Sequence, residues 1–207
     1  MRLHSFASLL LLIWALGCGC STTTRAPQLY LSHFDLKQPQ IDDFETCAAA
    51  GCRKRSRLVY SESEWHSLRA LFQPAPTSAA EERERLLVAI AAMETIIGEK
   101  NGTSGDNQMN QRRGSKSPQL DCIAEAANTT VALLLLEKEG LIHHHRVSYP
   151  QHRGFVHLRF PHNTAAVFEL ESGQHFAIDS WFFANGEQPI CVPVDKWKAG
   201  YNPHKAD

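Results

Sequence analysis

Apolar residues recur at i, i+3, i+4 and i+7 between Ala79 and Glu99 (Leu86, Leu87, Ile90, Met93, Ile96 and Ile97), which predicts a long amphipathic helix. Ser78 and Glu81 stand before it in capping-box spacing, as Ser61 and Glu64 do before a shorter helix over 61–72. In that shorter segment Trp65, Leu68, Leu71 and Phe72 share one face. A third helix is expected over 122–139, with Asp121 as N-cap and Gly140 as its stop. Leu133 to Leu136 make it apolar nearly all round, so it must be buried. From His143 onward the period changes from 3.6 to two, through 143–149, 162–170, 174–183 and 189–194, with turn residues at 171–174 and 184–189. That alternation predicts an antiparallel meander, and 56–61 is a further short strand candidate. Helices first and strands later give an α+β class: N-terminal helices and a buried central helix packed on an antiparallel β-meander.

Two stretches lack either period. Residues 98–118 are poor in hydrophobics and rich in Gly, Asn and Ser, which predicts a mobile loop leading straight into Cys122. Residues 21–40 are polar and proline-containing, and read as a tether. Before them, one arginine, an apolar run from Phe6 to Leu16 and a small-residue region have the layout of a secretory signal, too short for a stable membrane span. The same stretch resembles a bacterial lipoprotein signal, which implies lipid attachment at Cys18; Cys20 is a second possible acceptor. The organisation expected is a signal at 1–17, a tether at 18–40, one domain at 41–200 and a tail at 201–207.

The near-balanced formal charge, −1 with His neutral, gives no reason to expect a nucleic-acid partner. The signal places the domain in the cell envelope facing the periplasm, on a lipid anchor. In that oxidising compartment Cys47 and Cys52 are expected to close a small disulfide loop. Zinc is the rival for this pair, but the spacing is not C-x-x-C and no second ligand pair follows closely. Cys122 and Cys191 could also pair. The run His143-His144-His145 invites a metal reading, but successive strand residues face opposite ways and no carboxylate cluster joins them; a solvated strand start is the better account.

Cys122 opens the buried helix. A helix N-terminus carries roughly half a positive charge and unpaired N–H groups, a setting that lowers a thiol's pKa and offers an oxyanion hole. A base and an orienting group must come from elsewhere, and the meander supplies His162 and Asp179. Whether they meet depends on register. With Ser172-Gly173 as a two-residue turn, Asp179 opposes Ala166 and lies about 13 Å along the strand from the position opposite His162. A four-residue turn, or bulges with the same shift, sets Asp179 opposite Thr164 and brings His162 within diagonal reach. The looser connection is expected. His157 and His145 are the other histidines weighed for the base. Glu125 and Asn128 share a helical side with Cys122 and either border the cleft or are simply solvated. Trp181, Phe182 and Phe183 are expected as core and groove wall.

A cysteine starting a buried helix, a histidine opening a strand, and an aspartate on the following strand in "DSW" together resemble the transglutaminase-like branch of the papain-fold cysteine enzymes. The resemblance covers residues 119–184. It implies Cys122 as nucleophile, His162 as base and Asp179 as orienting acid, with hydrolysis or acyl transfer at a peptide or protein amide in the envelope through a thioester, and no cofactor or metal. The chain departs from the family at Asn163-Thr164, where small or aromatic residues are usual, and Gln119 is the nearest counterpart for an oxyanion-hole side chain. The rival class is a non-catalytic binding or assembly lipoprotein on the same fold, which a Cys122–Cys191 disulfide would favour. A redox pair of Cys122 and Cys191 is the weaker third reading.

Overall fold

A computed structural model describes residues 25–111, 118–154 and 161–205. The signal, Cys18, Cys20 and His157 lie outside the described residues. Five helices and two antiparallel sheets make an α+β fold. In chain order the elements are α1 (Pro27–Ser32), β1 (Phe44–Cys47), β2 (Arg55–Leu58), α2 (Glu62–Ala70), α3 (Ala79–Asn101) and α4 (Cys122–Lys138). They are followed by β3 (His145–Arg153), β4 (His162–Glu169), β5 (His175–Asp179), β6 (Ile190–Pro193) and α5 (Val194–Lys198).

The capping signals form as spaced. Ser61 accepts from Glu64 N–H while the Glu64 carboxylate accepts from Ser61 N–H, and Ser78 accepts from Glu81 N–H. Helix α3 runs two residues past its expected end and stops at Gly102, whose φ of 86° is a left-handed conformation glycine adopts without a Cβ penalty. Every residue of α4 from Ala124 to Leu136 is buried. The helix lies between β4 and β3 on one side and α3 and β1 on others, which is why its sequence shows no polar stripe. Burying one such leucine is worth about 1.5–3 kcal/mol, so the run Leu133–Leu136 anchors the domain.

The four-stranded sheet has the order β3-β4-β5-β6, all neighbours antiparallel. Glu169 N–H donates to Gln174 O, and Gly173 N–H to Glu169 O, closing a four-residue turn over Leu170–Gly173. Pairing of Ala165 with Ile178 then sets Thr164 across from Asp179, the looser of the two registers.

Several expectations are corrected. Residues 27–36 are not tether: Tyr30, Leu31 and Leu36 sit in the main core, and α1 packs on β3 and α4. In the tail, His204 Nε2 lies 2.8 Å from Phe182 O. Strand β1 pairs with β2 as a separate two-stranded sheet. A disulfide joins Cys47 to Cys52, and Asn128 clasps the Cys47 backbone from α4, accepting from its N–H at 2.7 Å and donating to its carbonyl at 3.0 Å.

The histidine run is not a solvated strand start throughout. His143 is exposed, but His145 is fully buried, with Nδ1 2.7 Å from Glu82 Oε1 and Nε2 3.1 Å from the Arg83 guanidinium. Arginine can only donate, so His145 Nε2 accepts and Nδ1–H donates to Glu82, which makes the ring neutral. Glu82 also accepts from the His143 and His144 N–H groups, and Arg83 pairs with Glu169. Burial pushes the Glu82 carboxyl up, but the His145 ring and the two N–H groups together hold it below the ordinary carboxylate range. Among the described residues, no group of three or more His, Cys, Asp or Glu is placed to hold a metal ion, and no helix is long and apolar enough to cross a membrane.

Candidate active site

Cys122 is the first residue of α4. Asp121 caps the helix: its Oδ1 accepts from Ala124 N–H at 3.0 Å and from Gly51 N–H at 2.8 Å, tying the helix start to the disulfide loop. Ala124 and Glu125 N–H are taken by Asp121, which leaves the N–H groups of Cys122 and Ile123 without a hydrogen bond among the described residues. They are the donors available to a developing oxyanion.

His162 opens β4 and is buried. The four-residue turn delivers Asp179 to it: His162 Nε2 lies 2.7 Å from Asp179 Oδ2. The carboxylate oxygen accepts, so Nε2 carries a hydrogen. Nδ1 is sealed from solvent and has no hydrogen-bond partner among the described residues. Aromatic rings fix the imidazole plane, with centroids 4.5 Å away for Trp181, 5.4 Å for Trp197 and 5.5 Å for Phe182. The DSW segment therefore contributes both an orienting acid and a wall.

A cleft of about 850 Å³ is lined by Cys122, His162 and Asn163 together with Met109, Arg153, Trp181 and Phe182. Its wall is stapled rather than loose. Met109 N–H donates to Trp181 O at 2.7 Å, and Trp181 Nε1–H donates to Asn110 O at 2.9 Å. Residues 103–111 of the expected mobile loop are thus held against the site; residues 112–117 lie outside the described residues.

The thiol departs from expectation. Burial pushes its pKa up; the Asn163 backbone N–H pulls it down, the Asp121 charge pushes it up again, and the Asn163 side chain pulls it down. The net direction is upward. Burial is the largest cause, and the Asp121 carboxylate at the helix start adds to it by opposing the positive end of α4. The thiol instead donates to the Pro161 carbonyl at 4.0 Å. Cys122 needs a base to ionise, and the same cleft holds His162 with a vacant nitrogen.

Cys122 and Cys191 are both free thiols. Cys191 lies on β6, and burial pushes its thiol up to about 12, which suits a packed side chain more than redox chemistry. Gln119 is not in the cleft: its Nε2 donates to Gly105 O at 2.6 Å, and its Oε1 accepts from Asn107. Glu125 and Asn128 point away from the cleft, and both are buried. Burial, with the Glu94 and Asp106 charges, pushes the Glu125 carboxyl well above its ordinary range. Asp106 in turn accepts from Leu120 N–H at 2.7 Å, bracing the approach to Cys122.

Trp197 was not singled out by sequence reasoning. Its Nε1–H donates to Asp179 Oδ2 at 2.7 Å, the same oxygen that holds His162. It belongs to a five-residue helix, too short to register a period, and "DKW" carries no spacing that points to Asp179. His145, weighed as an alternative base, is ruled out by its place in the buried Glu82 network.

Against family models, curated proteins and solved structures, the chain gives no match.

Proposed function

We propose that this protein is an envelope-anchored cysteine hydrolase or acyltransferase of the transglutaminase-like, papain-fold kind, acting on a peptide or protein amide through Cys122, His162 and Asp179. The observation that carries the reading is the pairing of His162 with Asp179 through Nε2, with Nδ1 unpartnered among the described residues and with His162 and Cys122 lining the same cleft. In the proposed reaction the Cys122 S–H proton moves to His162 Nδ1 and the sulfur attacks the carbonyl carbon. The oxyanion is received by the Cys122 and Ile123 N–H groups. His162 then returns the proton to the leaving nitrogen, and the thioester passes to water or to an amine. Asp179 keeps the base in the Nε2–H tautomer and stabilises the imidazolium. A lipid on Cys18 would hold the domain at a membrane surface facing the periplasm, with no nucleic acid involved.

The alternative is a non-catalytic binding or assembly module, favoured by one observation: the resting thiol is made less acidic by its surroundings. Acylation separates the two. Incubated with p-nitrophenyl acetate, the protein is expected to release nitrophenol and to carry an acetyl group on the peptide containing Cys122, with none in Cys122→Ala. Equal acetylation of Cys122 and Cys191, or none on Cys122, supports the binding module.

A further inference from the structure

We propose that Gly51 is a positioning residue for acyl transfer. Presented by the Cys47–Cys52 disulfide loop, its backbone N–H holds Asp121 and through it the first turn of α4, which sets the Cys122 and Ile123 N–H groups where the oxyanion forms. The proposal deepens the acyl-transfer reading and rests on it.

Three observations lead to it. The first is a shared acceptor. Asp121 Oδ1 accepts from Ala124 N–H at 3.0 Å, inside α4, and from Gly51 N–H at 2.8 Å, outside it. An N-cap needs only the first of these bonds. The second ties the cap to a residue 70 positions away in the chain.

The second observation is that the loop is itself held. The disulfide joins Cys47 to Cys52, Ala48 N–H donates to Lys54 O at 2.7 Å, and Cys52 N–H donates to Ala49 O at 3.1 Å. Asn128, on the same helix as Cys122, accepts from the Cys47 N–H and donates to the Cys47 carbonyl. The loop therefore grips α4 at two points, Asn128 and the Asp121 cap. It cannot shift without moving one of them.

The third is backbone conformation. Gly51 and Cys52 are consecutive left-handed residues, with φ of 63° and 54°. A cysteine in that region is uncommon, and such strain persists where its surroundings over-determine it, as they do at functional sites. A Cβ on Gly51 would meet nothing within 4 Å, so the backbone and not the space calls for glycine there. Cys122 and Ile123 are the first two residues of α4, directly after the clasped cap. A cap released from Gly51 lets their N–H groups swing, and a displacement of about 1 Å is enough to cost up to about 100-fold in rate.

Two reactions at Cys122 separate position from reactivity. In acetylation by p-nitrophenyl acetate the S–C bond forms through a tetrahedral oxyanion, nitrophenolate leaves and the S–H proton goes to His162. In alkylation by iodoacetamide the S–C bond forms as iodide leaves, and no oxyanion has to be received. The deciding pair is Asp121→Asn against Asp121→Ser. Both remove the carboxylate and both cap a helix, but only the asparagine oxygen reaches Gly51 as well as Ala124. Asp121→Ser is expected to acetylate Cys122 about 10-fold more slowly than Asp121→Asn, while the two are alkylated equally. The double variant Cys47→Ala, Cys52→Ala, which unbraces the loop, is expected to lose acetylation against wild type and to keep its alkylation rate. If that variant does not fold, the Asp121 pair decides alone. Equal acetylation by the pair, or a wild-type rate in the folded double variant, overturns the proposal and leaves the acyl-transfer reading standing. Parallel losses in acetylation and alkylation also overturn it, since the loop is then structural only. A wild-type Cys122 that never acetylates removes the acyl-transfer reading, and the role of Gly51 falls with it.

Discussion

Asp179→Ala is expected to lower Cys122 acylation by about 10⁴-fold, and Asp179→Asn by less. The difference follows from which oxygen is used. His162 Nε2 and Trp197 Nε1 both donate to Oδ2. An asparagine placing its carbonyl oxygen there keeps both hydrogen bonds, and with them the Nε2–H tautomer. What it loses is the negative charge that stabilises the imidazolium. Alanine removes the acceptor altogether, so the ring can carry its proton on Nδ1, where it no longer serves as a base. It also leaves the buried Trp197 N–H unsatisfied. The check is single-turnover acylation of the three proteins, with thermal unfolding to report the structural loss separately. Equal rates for the two variants would mean that charge, not tautomer, is what Asp179 supplies.

Glu82→Ala is expected to be the most damaging change away from the cleft, destabilising the domain by about 3–5 kcal/mol, because each buried donor left unsatisfied costs about 1–3 kcal/mol. The substitution orphans the His145 Nδ1–H and the N–H groups of His143 and His144 at the start of β3. For a chain of this size that corresponds to a fall in Tm of roughly 10 °C. The pH dependence gives an independent sign. Glu82 titrates below its ordinary value of 4.5 in the folded state, so its contribution is complete at neutral pH and is lost as pH falls from 4.5 through the folded-state pKa. The gap between wild type and variant should therefore narrow in acid. Denaturant unfolding at pH 7 and pH 4 measures both; a gap that is small at pH 7, or widens in acid, would show that the network is not holding α3 to β3.

How far the sequence reveals the fold depends on where each residue's partner lies. Helices α3 and α4 were legible because their signals are local: an apolar period, a capping residue and a terminal glycine. The meander was legible from its period of two. Its register was open until the turn was known, since two-residue and four-residue connections differ only in how Leu170–Gly173 is used. Residues whose meaning is set by distant partners were misread. Glu125 and Asn128 look solvated on a helical wheel, yet Asp106 and the Cys47 backbone make them interior. His145 looks solvated until Glu82 is brought to it. Helix α1 and strand β1 are too short to show a period, although Tyr30, Leu31 and Phe44 are core residues.

The candidate site divides in the same way. Cys122, His162 and Asp179 could be chosen from chain order and context, and the fold does join the last two. The acidity of the thiol could not be read, because burial sets it and the capping residue that identifies the helix start also opposes its field. Nor could the sequence show that Gln119, the oxyanion-hole counterpart, is consumed by Gly105 and Asn107.

The central claim is that His162 activates Cys122, and the direct measurement is the rate of Cys122 alkylation by iodoacetamide across pH, in wild type and His162→Ala, with the modified thiol assigned by peptide mass mapping. The account predicts that His162→Ala shifts the whole profile to alkaline pH relative to wild type. Superimposable profiles, or a Cys122 inert at every pH that leaves the fold intact, would contradict it.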